Sequence, residues 1–131
     1  MKYLLDTHTF LWWMQDAPEL PEGVRRILSS QTSDVAFSVL SAWEIIIKTG
    51  TGKLSGVHLE TLEDSLATQG FPLLPLDLGS VARVAQLPPL HQDPFDRGLI
   101  ATALHHDLVV LTRDSKFGGY GVKVFWGGSI T

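Results

Sequence analysis

The sequence predicts a three-layer α/β domain built on a mostly parallel β-sheet. Three observations carry this expectation. Five short apolar runs recur along the chain, at KYLLD (2–6), DVAFS (34–38), FPLLPL (71–76), LVVLT (108–112) and VKVFW (122–126). The segments between them place apolar residues at helical spacing. The 131 residues contain no internal repeat, low-complexity tract or Gly/Ser linker, so one domain over 1–131 is expected.

The elements follow in order. The first strand, KYLLD, ends on Asp6 and leads into a helix with the stripe Phe10, Trp13 and Met14. A second helix carries Val24, Ile27 and Leu28. After DVAFS comes SVLSAWEIIIKTG, where Leu40, Trp43 and Ile47 form the stripe and Ser41 and Glu44 have the spacing of a capping box. Leu59, Leu62 and Leu66 predict a helix before FPLLPL; Val81, Val84 and Ala85 predict one after it. In HQDPFDRGLIATAL (91–104), Asp93 reads as an N-cap and Pro94 as the first helical residue, where its missing N–H costs nothing. That helix has the stripe Asp96, Ile100, Ala103 and Leu104. LVVLT then runs into Asp114, and VKVFW closes the sheet.

Composition narrows the function. With 44% hydrophobic and 18% charged residues the chain is expected to fold, not to be disordered. The lack of cysteine excludes a disulfide framework, a thiolate metal site and a cysteine nucleophile, and it fits a reducing cytoplasm. Apolar runs stop short of the ~18 residues of a membrane span. MKYLLD turns acidic too soon for a signal peptide, so a cytoplasmic protein without membrane attachment is expected. A net charge of −4 argues against holding nucleic acid by basic surface alone. It leaves open an enzyme whose bound cations supply the positive charge.

In open parallel sheets the site lies beyond the carboxyl ends of the strands. Asp6 and Asp114 follow the first and fourth strands and emerge at that edge. Each alone reads equally well as a cap or turn residue. Glu44 and Asp96 stand near helix starts, yet on the apolar stripe; a capping box or the helix dipole accounts for each singly. Together the four acids form a cluster that is costly unless a counter-charge is present. A hard divalent ion supplies it: Mg²⁺ or Mn²⁺ takes oxygen ligands and retains waters. No His and Cys set has zinc spacing.

Around the four, Asp93 reads as a cap before a ligand, and Thr112 as a hydroxyl that holds the loop or a ligand. Arg97, Arg113 and Lys116 are candidate phosphate contacts or ion-pair partners. His8 and His91 read as hydrogen-bonded positioning groups, and His105 and His106 as partners of a helix C-terminus. Glu60, Glu63 and Asp64 fall on solvated faces. An aspartyl-phosphate phosphatase would need an Asp where His8 stands, and a dinucleotide-binding turn would need glycines where DTHTF stands.

The stretches YLLDTHTFLW, SAWEIIIKTGTGKL, HQDPFDRGLIATAL and VVLTRDSKF, in this order and spacing, resemble the PIN-domain ribonucleases. They most resemble the VapC-type toxins of bacterial and archaeal toxin–antitoxin pairs. The resemblance runs from Asp6 to about Phe117; the glycine-rich segment beyond carries no family signal. It implies a PIN-like five-stranded parallel sheet of order 3-2-1-4-5, with Asp6, Glu44, Asp96 and Asp114 as the metal-binding catalytic set. It further implies Mg²⁺- or Mn²⁺-dependent cleavage of RNA, a homodimer, and a small VapB-type antitoxin whose peptide tail occupies a groove by the active site. Trp12 and Trp13 suggest a groove for an apolar peptide bearing a basic residue. Two other readings remain open: a housekeeping RNA-processing PIN nuclease without antitoxin, and a non-catalytic module that holds a partner through Trp12 and Trp13.

Overall fold

The structure, a computed structural model, describes residues 2–52 and 59–128. Lys53 and Leu54 of the second motif, and the side chain of Leu59, lie outside the described residues. The first half comprises β1 (Lys2–Leu5), α1 (Thr7–Met14), α2 (Glu22–Ser29), β2 (Asp34–Ser38), α3 (Val39–Gly50) and α4 (Leu59–Gln69). The second comprises β3 (Leu73–Leu74), α5 (Leu78–Val84), α6 (Pro94–His106), β4 (Val109–Leu111), a 3₁₀ helix (Ser115–Tyr120) and β5 (Lys123–Phe125). All strands pair in parallel in the order β3-β2-β1-β4-β5. Leu5 stands opposite Leu111, so the residues that leave β1 and β4 emerge side by side.

The strands read as continuous apolar runs because both faces of the sheet are covered. Successive residues point to opposite faces. Leu5, Val35, Phe37 and Leu111 pack with Phe10 of α1, Val24 and Leu28 of α2, and Leu62 and Leu66 of α4. Leu4 and Val110 pack on the other face with Leu99, Ile100 and Ala103 of α6, Leu40 of α3 and Phe117. Thr9 of α1 donates to the Leu111 carbonyl at 2.7 Å, pinning that helix to the end of β4.

Five expectations are corrected. The run FPLLPL yields a strand of only two residues. Pro72 and Pro75 bracket it and lack the N–H a longer ladder needs. In α1, Met14 at the last position is exposed. In α3 the buried face is Leu40, Ser41, Glu44 and Ile45, while Trp43 and Ile47 face outward. The cap of α3 is Ser38, whose hydroxyl accepts the Leu40 N–H at 3.0 Å, so Ser41 is not the cap of a Ser41–Glu44 box. In α5 it is Ser80 that is buried, while Val81 and Ala85 are exposed. This short helix approaches α6 by its small residues: a Cβ on Gly79 would strike the His105 ring.

The crossing of α3 and α6 matters most for the site. A Cβ on Gly98 would lie 2.5 Å from Leu40 Cδ1, so the glycine lets the two helices close on each other. That approach carries Glu44 and Asp96 toward the same end of the sheet.

Candidate functional site

A cavity of about 300 Å³ opens at the carboxyl edge of the sheet, lined by Asp6, His8, Trp12, Asp96, Arg113 and Asp114. Asp6 extends the β1–β4 ladder by one bond, its N–H donating to Leu111 O at 3.2 Å, before α1 turns away. Its carboxylate is buried; Oδ2 accepts from the Thr112 hydroxyl at 2.7 Å. The same hydroxyl accepts the Asp114 N–H at 3.0 Å, so Thr112 fixes both the acid of β1 and the loop after β4. Burial pushes the Asp6 carboxyl above its ordinary range, aided by Glu44 and opposed by the Thr112 bond and His8.

Glu44 is 2% exposed and sits in the second turn of α3. Its Oε2 accepts from Lys48, one turn on, at 2.6 Å. Burial works against the Lys48 charge, but the bond to Glu44 and the nearby charges of Glu44, Asp93 and Asp96 outweigh it and raise the ammonium's pKa. The sequence reading passed over Lys48, although its signal was present: Glu and Lys at i and i+4 on one helix face. Ser41 accepts from the Thr7 hydroxyl at 2.8 Å and so ties α3 to the start of α1.

Asp93 caps α6, its Oδ1 accepting the N–H groups of Phe95 at 2.8 Å and Asp96 at 3.1 Å. The Asp96 carboxylate instead meets His91, Oδ2 lying 2.9 Å from Nε2. Burial first, then the charges of Asp6, Asp93, Glu44 and Asp114, push the Asp96 carboxyl up to about 8. Asp114 caps the 3₁₀ helix through Lys116 N–H at 2.9 Å, and its Oδ2 lies 3.0 Å from the same His91 Nε2.

The three basic candidates separate. Arg113 lines the cavity with its guanidinium 4.8 Å from the Trp12 ring centroid. Arg97 donates to the carbonyls of Val84, Leu87, Pro88 and His91, bracing the segment before α6. Lys116 is exposed and does not line the cavity. Of the aromatic pair, Trp12 borders the cavity, whereas Trp13 donates to Gln69 at 3.0 Å. His105 and His106 occupy the last turn of α6, where positive charge suits the dipole. His106 also lies 2.8 Å from Asp77, the cap of α5, whose carboxyl the Ser80 bonds, with His106, hold down at about 2.

The donor set fits a hard divalent cation. Among the described residues, Asp6 Oδ1 and Glu44 Oε1 are buried without a hydrogen-bond partner, a costly arrangement for carboxylates. The raised Asp96 adds the mark of like charges crowded together.

A parallel sheet of this order, with acids gathered from the ends of β1 and β4 and from two flanking helices, defines an α/β domain with a carboxylate-walled cleft. The chain belongs to the PIN domain family, whose pattern matches residues 3–123. PIN domains are nucleases. No curated protein sequence matches the chain. Among solved structures it is similar to DNA-bound VapBC from Salmonella typhimurium, at 19% identity over 95% of this chain and 97% of that one, with a TM-score of 0.71. VapBC2 from Rickettsia felis, bound to a DNA fragment from their promoter, matches at 14% over 92% and 93%, with a TM-score of 0.68. FitAcB from Neisseria gonorrhoeae matches at 24% over 94% and 96%, with a TM-score of 0.62. At these identities the likeness is one of fold.

Proposed function

We propose that the chain, as a single PIN domain over 1–131, is the cytoplasmic toxin of a toxin–antitoxin pair, a Mg²⁺- or Mn²⁺-dependent endoribonuclease. The observation that carries the reading is the convergence of Asp6, Glu44, Asp96 and Asp114 at one sheet edge of a PIN domain, with two of their buried oxygens unpartnered. Asp6, Asp96 and Asp114 would hold the ion, directly or through water, and Glu44 would complete the acidic wall. A divalent ion bound there supplies charge to the scissile phosphate and an acidified water for in-line attack.

The chain's own groups do the rest. Thr112 keeps Asp6 and the Asp114 backbone in register, and Lys48 offsets the charge of Glu44. Arg113 faces the cavity and suits a phosphate contact. His8 and Trp12 offer ring faces to unpaired bases, the usual target of sequence-selective RNA binding. With a net charge of −4, affinity for RNA depends on these local contacts and the ion.

An antitoxin and a second copy of the chain are the proposed partners. The similar VapBC structures are complexes, which supports the first. An outward face on α3 of Val39, Trp43, Ile46 and Ile47 offers apolar surface for such association.

The decisive experiment is the chemistry of the cut. Single-stranded RNA should be cleaved with Mg²⁺ or Mn²⁺, not with EDTA, leaving 5′-phosphate and 3′-hydroxyl ends that a 5′-phosphate-dependent exonuclease degrades. A 2′-deoxy residue at the cut site should leave the chemical step intact. Cyclic phosphate ends, or undiminished cleavage in EDTA, would reject the metal reading and the roles of all four acids.

A further inference from the structure

We propose that His91 is a positioning residue that competes with the divalent ion, because its imidazole holds Asp96 and Asp114 through oxygens the ion would take. The inference rests on the metal-dependent reading above.

The geometry fixes which nitrogen does what. His91 Nδ1 accepts the Asp93 backbone N–H at 3.3 Å. An accepting ring nitrogen carries no proton, so in the neutral ring the proton is on Nε2. That one N–H faces two carboxylates, at 2.9 Å from Asp96 Oδ2 and 3.0 Å from Asp114 Oδ2. Nε2 is therefore a donor to the acids, not a free ligand atom beside them.

The residue is held from several sides. Its backbone N–H donates to Tyr120 Oη at 2.6 Å, and its carbonyl accepts from Arg97 at 3.4 Å. The ring stands edge-on to Phe117, with centroids 6.2 Å apart. With the backbone anchored, the ring yields by rotating, not by moving with its loop. Asp96 and Asp114 would offer a divalent cation the same Oδ2 atoms that now face Nε2–H, and an oxygen ligated to such an ion would no longer be free to accept that bond. Entry of an ion would thus be an exchange: the imidazole holds the two carboxyl groups aligned, and the cation would displace it. Asp114 is also held by the Lys116 backbone N–H, which donates to Oδ1 and so does not compete with the ion for Oδ2.

The test measures metal affinity by titration calorimetry with Mn²⁺ and Mg²⁺ on the purified chain. His91→Ala and His91→Phe both remove the donor, and the phenyl ring preserves the packing on Phe117 should the alanine variant fold poorly. Each should bind Mn²⁺ about tenfold more tightly than the wild type, the worth of one hydrogen bond to a charged group. His91→Gln, which retains an N–H donor, should stay near the wild type. The melting temperature of the Phe variant should fall in EDTA and recover in saturating Mn²⁺. Weaker binding by both donor-less variants would make His91 a ligand and overturn the proposal. So would unchanged affinity with equal loss of stability in both buffers, the mark of packing alone. If the wild type binds neither ion and matches Asp96→Asn, the metal-dependent reading itself fails; any other result leaves that reading standing.

Discussion

Asp96 heads a stripe that continues into Ile100 and Ala103, both buried against the sheet. The carboxyl is driven to about 8 by burial and by its acidic neighbours. Asp96→Asn should abolish cleavage yet melt at an equal or higher temperature in EDTA, because it relieves like-charge repulsion. A variant that retains activity and loses about 1 kcal/mol would return Asp96 to a capping role. The same shift sets a pH dependence. The folded carboxyl, at about 8 against an ordinary 3.8, holds its proton more tightly than the unfolded chain does. Stability from this group is therefore greatest below about 4 and is lost as pH rises through about 8. Melting curves in EDTA should fall across that window, and Asp96→Asn or added Mn²⁺ should flatten them; a rise with pH would contradict the assignment. At this scale the strand-end acids were legible because their placement follows from topology alone. His91 between two acids was not, since that depends on how residues 87–93 fold back before α6.

Among the elements, α3 inverts the usual amphipathic order. It buries Ser41 and Glu44 and exposes Trp43, Ile46 and Ile47. Apolar periodicity assumes that a helix turns its greasy side inward, so it puts Trp43 and Ile47 in the core. The polar inward face serves Thr7 and Lys48, partners that no hydropathy pattern encodes. The strands fared better, since runs buried on both faces need no phase to be seen. The α3–α6 crossing gives a sharp prediction. In Gly98→Ala the new methyl meets Leu40 Cδ1, a buried group with little space to retreat. The cost should be about 1–3 kcal/mol of overpacking, read as a lower denaturation midpoint. Cleavage should drop as well, because the helices bearing Glu44 and Asp96 are forced apart. Leu40→Ala should cost less in the Gly98→Ala background than in the wild type, a coupling that a double-mutant cycle measures. Additive losses would mean that the close approach is not what Gly98 provides.

Over the whole molecule, the strand order was legible only through the family resemblance of four motifs in register, and the observed neighbours β1 and β4 bring the strand-end acids together. The partner was not, since an exposed apolar face states that something covers it and not what. The proposed toxin function is tested where the entire chain acts. Asp6, Asp96 and Asp114 line one cavity with Arg113, Trp12 and His8, the place where the proposed RNA substrate would bind. A toxin of the proposed kind needs an external restraint, and a peptide carrying a basic residue to the acids and an apolar one to Trp12 would supply it. Induced expression of this chain alone should arrest growth, and co-expression of the short neighbouring frame should relieve the arrest. Asp6→Asn removes charge from the centre of the cluster while keeping the shape of the side chain, so it should be tolerated without the partner. If the wild type proves as harmless as Asp6→Asn at matched protein levels, the chain is not a toxin, even if it cleaves RNA in the tube.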